Sequence, residues 1–298
     1  MKIAHLILCH NDPQHITRLC KRLSAFSDVF VHVDAKSDMQ PFMKDLQSTA
    51  NIYFLSNRID IKWGSFLAVK ATMELFRKAI ATGPYDRYVL LQGADYPIMS
   101  DAEIIDYFEM HKDVEFIRGC KLSDSNLPYF RRKQYGYWFY LHRNIFTRLH
   151  NNLWVKAFNL FPLKMRKGYV YGDKRKMELY WGSAQFSLTG SAAQYLLDFY
   201  DQHPDFNRYF VHAFPCDEMY VQTVLFNSPF LEKTMCGIED PFPNPDHYLA
   251  VHYFEYPTQI RIWKEDDFDF LRNTGKIYCR KVNTETSTKL LDLFDQLT

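Results

Sequence analysis

The stretch from residue 88 to residue 97, which reads YVLLQGADYP, limits the possible folds of this chain more than any other. Its apolar residues 89–91 form a run that is too short for most helices, and Gly93 and Pro97 end it. Such a run is typical of a central strand in a parallel sheet, which is buried on both faces. Ligands bind at the carboxyl ends of these strands in open α/β sheets, so Asp95 is a candidate site residue. The alternative is that Asp95 only caps the turn before the next helix.

The first residues of the chain predict the same kind of sheet. Apolar residues 3–9 and 28–33 are expected to form two strands, and the residues between them a helix. Strand, helix and strand in this order form a βαβ unit with a parallel sheet. His10 and Asp34 follow the two strands, so their loops should open on the same edge of the sheet as Asp95.

Later segments place the chain in the α/β class, with a Rossmann-like, mostly parallel central sheet flanked by helices. Residues 51–55, 114–117 and 181–189 are expected to form further strands. Further helices are predicted at 66–80, 101–108 and 191–200, from a start at 215–218, and from about 286.

The composition excludes several classes of protein. The 36 basic and 35 acidic residues nearly cancel, so no overall charge points to nucleic acid. No window contains about 18 consecutive apolar residues, and the strand pattern begins at Ile3, so neither a membrane span nor a signal peptide is expected. The six cysteines are scattered without a C-x-x-C pair, which argues against a zinc site and for free thiols. We therefore expect a cytoplasmic protein.

The segment from residue 129 to residue 176 is basic and aromatic. It contains twelve Lys or Arg residues and a single acid, Asp173, interleaved with Tyr, Trp and Phe. Cations attract anionic lipids and aromatic rings favour the membrane interface, so the segment predicts peripheral contact with the inner face of a membrane. The alternative is a solvated basic surface whose aromatic side chains face the core.

Six short segments carry a family resemblance: HVDAKS at 32–37, WGS at 63–65, LLQGADYP at 90–97, WGSAQF at 181–186, CDE at 216–218 and CRK at 279–281. Together they resemble the core-2/I-branching family of β-1,6-N-acetylglucosaminyltransferases, which also includes the peptide O-xylosyltransferases. The resemblance implies one GT-A domain over 1–298, with a nucleotide-binding half at 1–120, a basic aromatic insertion at 121–180, and an acceptor and catalytic half at 181–298. It also implies an inverting transfer from a UDP-sugar to a glycan or lipid-linked saccharide. UDP-N-acetylglucosamine is the first expectation for the donor and UDP-xylose the second.

The same resemblance implies that neither a divalent metal nor another cofactor is required. Most GT-A enzymes hold a metal through an Asp-x-Asp pair, whereas this chain has Gly93, Ala94 and Asp95 at the corresponding place. A lone carboxylate is a poor site for a hard dication, which prefers several oxygen ligands.

Inverting transfer needs a base for the acceptor hydroxyl and positive charge for the departing diphosphate. The resemblance assigns Glu218 as the base, and Arg261 and Lys281 as the residues that bind the diphosphate. Read alone, Glu218 could simply be a favourable acid in the first turn of a helix capped by Asp217. Arg261 and Lys281 could likewise be solvated surface charges.

The resemblance also suggests contacts with the rest of the donor and with the acceptor. Asp95 is expected to bind the donor, and His10 and Asp34 to face its nucleoside, although either of the last two could instead cap its own loop. Trp181 could stack on an acceptor sugar or be an ordinary core residue. The residues expected to contact the acceptor are Gln92, Asp124, Arg132, Trp181 and Ser183.

Two other functions fit parts of the sequence. A nucleotidyltransferase would share the βαβ opening, but it needs a Gly-rich phosphate loop where this chain has HNDP at 10–13. A non-catalytic module could bind a membrane or nucleic acid through the basic aromatic segment. Such a module would not explain why the six segments occur along the chain in the same order as in the transferase family.

Overall fold

The computed structural model describes residues 1–46, 49–125, 127–138, 166–234, 250–256 and 258–298, together with Leu149, Leu153 and Ala157. Much of the basic aromatic segment lies outside these residues, so its predicted membrane contact stays a prediction. No helix in the described ranges is both long and apolar enough to cross a membrane.

Strands and helices alternate through the first part of the chain, as the apolar runs predicted. The strands are β1 (Ile3–Cys9), β2 (Asp28–Val33), β3 (Ile52–Phe54), β4 (Arg87–Gln92), β5 (Asp95–Pro97), β6 (Gly119–Lys121), β7 (Tyr169–Gly172), β8 (Arg175–Glu178), β9 (Tyr180–Gly182), β10 (Phe186–Thr189), β11 (His252–Tyr253) and β12 (Tyr278–Arg280). The helices are α1 (Pro13–Ser24), α2 (Gln40–Met43), α3 (Phe66–Thr82), α4 (Asp101–Met110), α5 (Pro128–Tyr135), α6 (Gly190–Gln202), α7 (Pro204–Phe210), α8 (Tyr220–Phe226), α9 (Phe268–Arg272) and α10 (Thr284–Asp295).

The central sheet has five strands in the order β10-β4-β1-β2-β3. Strands β4, β1, β2 and β3 are parallel, and β10 pairs with β4 in the antiparallel sense. Neighbouring residues of β1 face opposite sides, so Leu6 packs into one hydrophobic cluster and Ile7 into the other. Because helices cover both faces, the strands are mostly apolar, and polar residues within them, such as His5, His32 and Arg87, are buried. The predicted α/β class, with a mostly parallel sheet of the GT-A type, is confirmed.

A smaller sheet joins the tail of the chain to the end of β4. Its order is β11-β12-β5, and the antiparallel register of β12 and β5 places Arg280 opposite Asp95. Asp95 therefore belongs to a short paired strand. The reason is that the tail supplies a pairing partner that is distant in sequence.

Three predicted elements differ in detail from the structure. Residues 114–117 form only isolated bridges, from Glu115 to Thr234 and from Phe116 to Ser187. The strand predicted at 181–189 is divided into β9 and β10 by a turn in which the Ser183 hydroxyl accepts a hydrogen bond from the Gln185 N–H.

The helix that is expected to start at residues 215–218 begins only at Tyr220, because residues 216–219 form a turn before it. Glu218 therefore lies in a turn that precedes α8. The first-turn position that the alternative reading gave to Glu218 is wrong.

Candidate active site

Asp95 lies at the centre of a buried charge cluster at the carboxyl end of β4. Its side chain has no solvent exposure, and its Oδ1 accepts a hydrogen bond from Arg280 Nη1 at 2.7 Å. Its Oδ2 accepts one from the Gln92 N–H at 2.7 Å and lies 3.2 Å from His252 Nε2. Burial alone would raise the pKa of Asp95, but Arg280 and His252 outweigh burial and hold the pKa below its ordinary value. Asp95 thus joins the tail to the central sheet, and its contact with the donor stays a prediction.

The two residues predicted to bind the diphosphate lie side by side in the tail. The Lys281 N–H donates to the Arg261 carbonyl at 3.3 Å, and the next residue, Val282, donates to the Ala94 carbonyl at 3.0 Å. The second bond holds this part of the tail against the residues that follow β4. The structure therefore brings Arg261 and Lys281 together at the edge of the sheet where ligands are expected.

Arg261 is held by two carboxylates. Its guanidinium is 3.0 Å from Glu255 and 2.5 Å from Asp267, and it lies over the ring of Trp263 at 4.6 Å. The side chain is 43% exposed, so these ion pairs are individually weak. A diphosphate that bound Arg261 would have to compete with both acids.

His10 and Asp34 lie close to the same part of the tail. Burial lowers the pKa of His10, Asp34 opposes that change, and Lys36, Lys281 and Arg280 add to it. These side chains are therefore within electrostatic range of one another, and His10 is neutral at pH 7.

The carboxylate of Asp34 is engaged in its own loop. It is 4% exposed, and its two oxygens accept hydrogen bonds from the backbone N–H groups of Lys36 at 2.9 Å and Ile61 at 3.2 Å. These contacts match the loop-capping alternative. The Lys36 ammonium lies 3.2 Å from the same carboxylate, so three contacts use most of the roughly four acceptor sites of an ionised carboxylate. Contact with the nucleoside stays a prediction.

Glu218 lies between a tryptophan and a lysine. Its Oε2 accepts a hydrogen bond from Trp181 Nε1 at 2.7 Å and is 3.6 Å from Lys133 Nζ. The Glu218 carbonyl accepts a hydrogen bond from the Gly182 N–H at 2.9 Å, which ties the turn to β9. The side chain is 32% exposed, so a hydroxyl group can reach this carboxylate. Position and access both suit a general base.

Lys133 is almost completely buried beside Glu218. Its side chain is 6% exposed, and its ammonium lies over the rings of Tyr129 at 4.5 Å and Trp181 at 4.9 Å. Burial lowers the pKa of Lys133 to about 8, although Glu218 favours the charged form. At pH 7 the lysine is therefore charged and orients one oxygen of Glu218.

Asp217 faces a small cavity that reaches the end of β4. Burial and the charge of Glu218 raise the pKa of Asp217 well above its usual range. Its Oδ1 is shielded from solvent and has no hydrogen-bond partner among the described residues. The cavity, of about 10 Å³, is also lined by Gln92, so the turn that carries Glu218 adjoins the strand that leads to Asp95.

A second contact ties the turn before Glu218 to the WGS segment. The Cys216 N–H donates to the Gly64 carbonyl at 2.8 Å, and Gly64 has a φ of +70°. A Cβ at Gly64 would lie 2.7 Å from the ring of Phe214, so only glycine fits this approach. The neighbouring Trp63 is 77% exposed and contacts the same ring edge-on.

The residues predicted to contact the acceptor are spread over the described structure. Trp181 is 5% exposed and packs against Phe130, which is the core position given as its alternative. Ser183 is buried and donates to Gln185 Oε1 at 2.6 Å. Asp124 is 59% exposed and 4.0 Å from Lys121, and Arg132 is half-buried on α5. Contact of these residues, and of Gln92, with an acceptor stays a prediction.

Comparison with known families decides the class of protein. A family model described as Core-2/I-Branching enzyme matches residues 3–237, which is most of the chain. The chain belongs to the Core-2/I-Branching enzyme family. It is therefore a glycosyltransferase, as the six segments predicted.

Solved structures show weaker likenesses to this Core-2/I-Branching family member. Mouse xyloside xylosyltransferase 1 is 13% identical, with a TM-score of 0.35, and the match covers 95% of this chain and 99% of that one. A Bacillus anthracis protein described as a glucose-1-phosphate thymidylyltransferase is 11% identical, with a TM-score of 0.36, and the match covers 79% of this chain and 86% of that one. No curated protein matches the chain.

The family match includes Glu218 but ends before the tail. Arg280 and His252, which hold Asp95, were missed in the sequence because each is more than 150 residues away from it. Lys133 was missed as well. Its spacing of four residues from Tyr129 places both on one face of α5, but only the structure shows that this face meets Glu218.

No group of three His, Cys, Asp or Glu side chains in the described part of this family member is placed to hold a metal ion. Independence from metal stays a prediction. No disulfide joins the five cysteines that the structure describes.

Proposed function

We propose that this protein is an inverting, metal-independent glycosyltransferase that moves N-acetylglucosamine from its UDP-sugar to a hydroxyl group of a glycan in surface polysaccharide assembly. The observation that carries the proposal is the setting of Glu218. Its carboxylate is accessible, lies in the segment that matches the family model, and is oriented by Trp181 and Lys133.

In the proposed reaction, Glu218 accepts the proton of the acceptor hydroxyl as the oxygen attacks the anomeric carbon of the donor. The bond from that carbon to the diphosphate breaks on the opposite side, which inverts the configuration. Lys281 and Arg261 bind the departing diphosphate, and at about 4 Å in an effective dielectric near 20 each contact contributes roughly 4 kcal/mol before screening. Arg261 is exposed, so its share is the smaller of the two.

Metal independence is supported by the setting of Asp95. In many GT-A enzymes an acid in this region binds the metal, whereas Asp95 is buried and already neutralised by the guanidinium of Arg280. A further cation would have to displace that guanidinium, which is costly for a buried pair.

The proposal is tested with UDP and with a panel of UDP-sugars. Calorimetry should detect UDP binding in both the wild type and Glu218→Gln, while the variant loses transfer by about 100-fold or more. Activity should persist in EDTA, and strict dependence on manganese would remove the metal-independent mechanism. Transfer from UDP-xylose in preference to UDP-N-acetylglucosamine would make the protein a xylosyltransferase. Absence of UDP binding would instead favour a non-catalytic module.

A further inference from the structure

A cavity of about 650 Å³ opens beside α5. Four cationic side chains line it, and the only acidic residue among the described lining is Glu178. The cations are Lys121, Arg166, Lys167 and Lys176. We propose that this cavity binds an anionic group of the acceptor saccharide, a carboxylate or a phosphate. This inference rests on the proposed function, because it concerns the acceptor of the same reaction.

The charges in the cavity do not cancel. Lys176 pairs with Glu178 at 3.5 Å, so these two charges cancel, while Lys121 and Lys167 add positive charge to the lining. Asp124 lies outside the lining, 4.0 Å from Lys121, and is 59% exposed, so its effect on Lys121 is small. A cleft lined mostly by one sign of charge concentrates ligands of the opposite sign.

Aromatic rings give the cavity a wall that suits a sugar. Tyr169 lines it, and the ammonium of Lys176 lies 4.7 Å from the centre of that ring. Tyr135 lines it as well. Aromatic walls combined with a few charged groups are typical of ligand pockets that bind one face of a ring and one polar substituent.

The cavity lies on the other side of α5 from Glu218. Lys133 points towards Glu218, whereas the next residues, Gln134 and Tyr135, line the cavity. Arg166 joins the two sides, since it lines the cavity and donates to the Lys133 carbonyl at 3.0 Å. A helix is about 10 Å across, so an oligosaccharide rather than a single sugar would reach both places.

A neighbouring cavity of about 400 Å³ extends the basic surface. It shares Arg166 and Lys167 with the first and adds Arg208 and Tyr137. Two basic cavities in series fit a chain that carries repeated negative charges. Both cavities are also lined by tyrosine, Tyr135 and Tyr169 in the first and Tyr137 and Tyr209 in the second, which suits a saccharide.

The test is calorimetry on the full chain with UDP at saturation, so that the diphosphate site is occupied. The probes are tetragalacturonate, which carries carboxylates, inorganic pyrophosphate, which represents the phosphate of a carrier, and N-acetylchitotetraose, which is neutral. The variant Lys121→Gln/Lys167→Gln/Lys176→Gln removes three exposed or half-buried charges, and Lys70→Gln, exposed on α3, is the matched control.

An anionic probe should bind more tightly than the neutral one, with an affinity that falls as salt is added. Exposed charge contacts are modest, so the triple variant should weaken anion binding roughly tenfold, while Lys70→Gln leaves it unchanged. Preference for tetragalacturonate or for pyrophosphate identifies the anion as carboxylate or phosphate. Equal binding of charged and neutral probes, or an unchanged affinity in the triple variant, would overturn the proposal.

Vesicles that contain phosphatidylglycerol provide the remaining arm. If the wild type floats with these vesicles while the triple variant does not, and neither soluble anion binds, the proposal is overturned. That result would show that the lysines bind a membrane surface and not an anionic saccharide. The outcomes are separate from those of the proposed function. UDP binding and loss of transfer in Glu218→Gln do not depend on the cavity, and anion binding does not depend on Glu218.

Discussion

Replacing Lys133 by methionine is expected to make the protein more stable and less active. The side chain of Lys133 is only 6% exposed, and its ammonium lies beside the carboxylate that is proposed as the catalytic base. Methionine has a similar length and no charge, so it can fill the space between the rings of Tyr129 and Trp181. The two effects separate the cost of burying the charge from its use in positioning Glu218.

The size of the stability gain follows from the pKa of Lys133. Burial lowers this pKa from 10.5 to about 8, and one pH unit corresponds to about 1.4 kcal/mol. The buried charge therefore costs the folded state roughly 3 kcal/mol relative to the unfolded chain. This is an upper value for the gain, because the variant also loses the contacts of the ammonium with two rings. The ion pair with Glu218 is already included in the pKa of Lys133. Glu218 remains 32% exposed, so water can solvate it after the lysine is removed.

The cost of burying the Lys133 charge falls as the pH rises. Below pH 8 the lysine is charged in both the folded and the unfolded state, and the full cost is present. Between pH 8 and pH 10.5 the unfolded chain holds the proton and the folded protein does not, so the wild type gains stability as pH rises. Above pH 10.5 the cost is gone.

Urea unfolding of the wild type and Lys133→Met at several values between pH 7 and pH 10.5 measures this effect. The variant should be more stable by up to about 3 kcal/mol at pH 7, and the difference should shrink towards zero at pH 10.5. Lys70→Met, on the exposed side of α3, controls for the loss of a lysine. A variant that is less stable at pH 7, or a difference that does not change with pH, would refute the reasoning. The turnover number should fall while UDP affinity stays constant, because Glu218 loses one of its two orienting contacts.

Three further substitutions test other contacts of the site. Trp181→Phe keeps the packing against Phe130 but removes the hydrogen bond to Glu218, so turnover should fall more than stability; a variant with wild-type kcat would show that the bond is dispensable. Arg280→Met leaves the buried carboxylate of Asp95 without its main partner and should lower the free energy of unfolding by about 3–5 kcal/mol, with partial recovery in Arg280→Met/Asp95→Asn. Trp63→Ala removes an exposed ring beside the turn that carries Glu218, so the KM for the acceptor should rise while UDP binding is unchanged; an unaffected KM would exclude Trp63 from acceptor binding.

The local part of the fold could be predicted from the sequence. Strands β1, β2 and β4 are mostly apolar on both faces, and glycine, proline or aspartate occurs within four residues of each strand end, so their bounds and their parallel pairing follow from neighbouring residues. The edge positions of His10, Asp34 and Asp95 follow in turn from the rule that parallel strands end together.

The contacts made by those residues could not be predicted in the same way. Asp95 meets Arg280 through the register of β12 on β5, and this register depends on a tail that follows almost two hundred residues later. Glu218 meets Lys133 only because α5 packs against β9 and the turn before α8. Neither pair has a local pattern, because the residues involved are separated by whole elements of structure.

Two neighbouring residues of the tail differ in what they bind. Arg280 pairs with Asp95, the lone aspartate after β4, whereas Lys281 is proposed to bind the diphosphate. Arg280 neutralises Asp95, and the same strand carries the chain on to Lys281, beside Arg261 and within electrostatic range of His10. The buried pair of Asp95 and Arg280 fixes the position of the residue that follows in sequence, Lys281. If Lys281 binds the diphosphate, as proposed, we expect Asp95 to affect donor binding through the position of Lys281. Loss of Asp95 and loss of Arg280 should consequently weaken UDP binding to the same degree, and the two losses should not add.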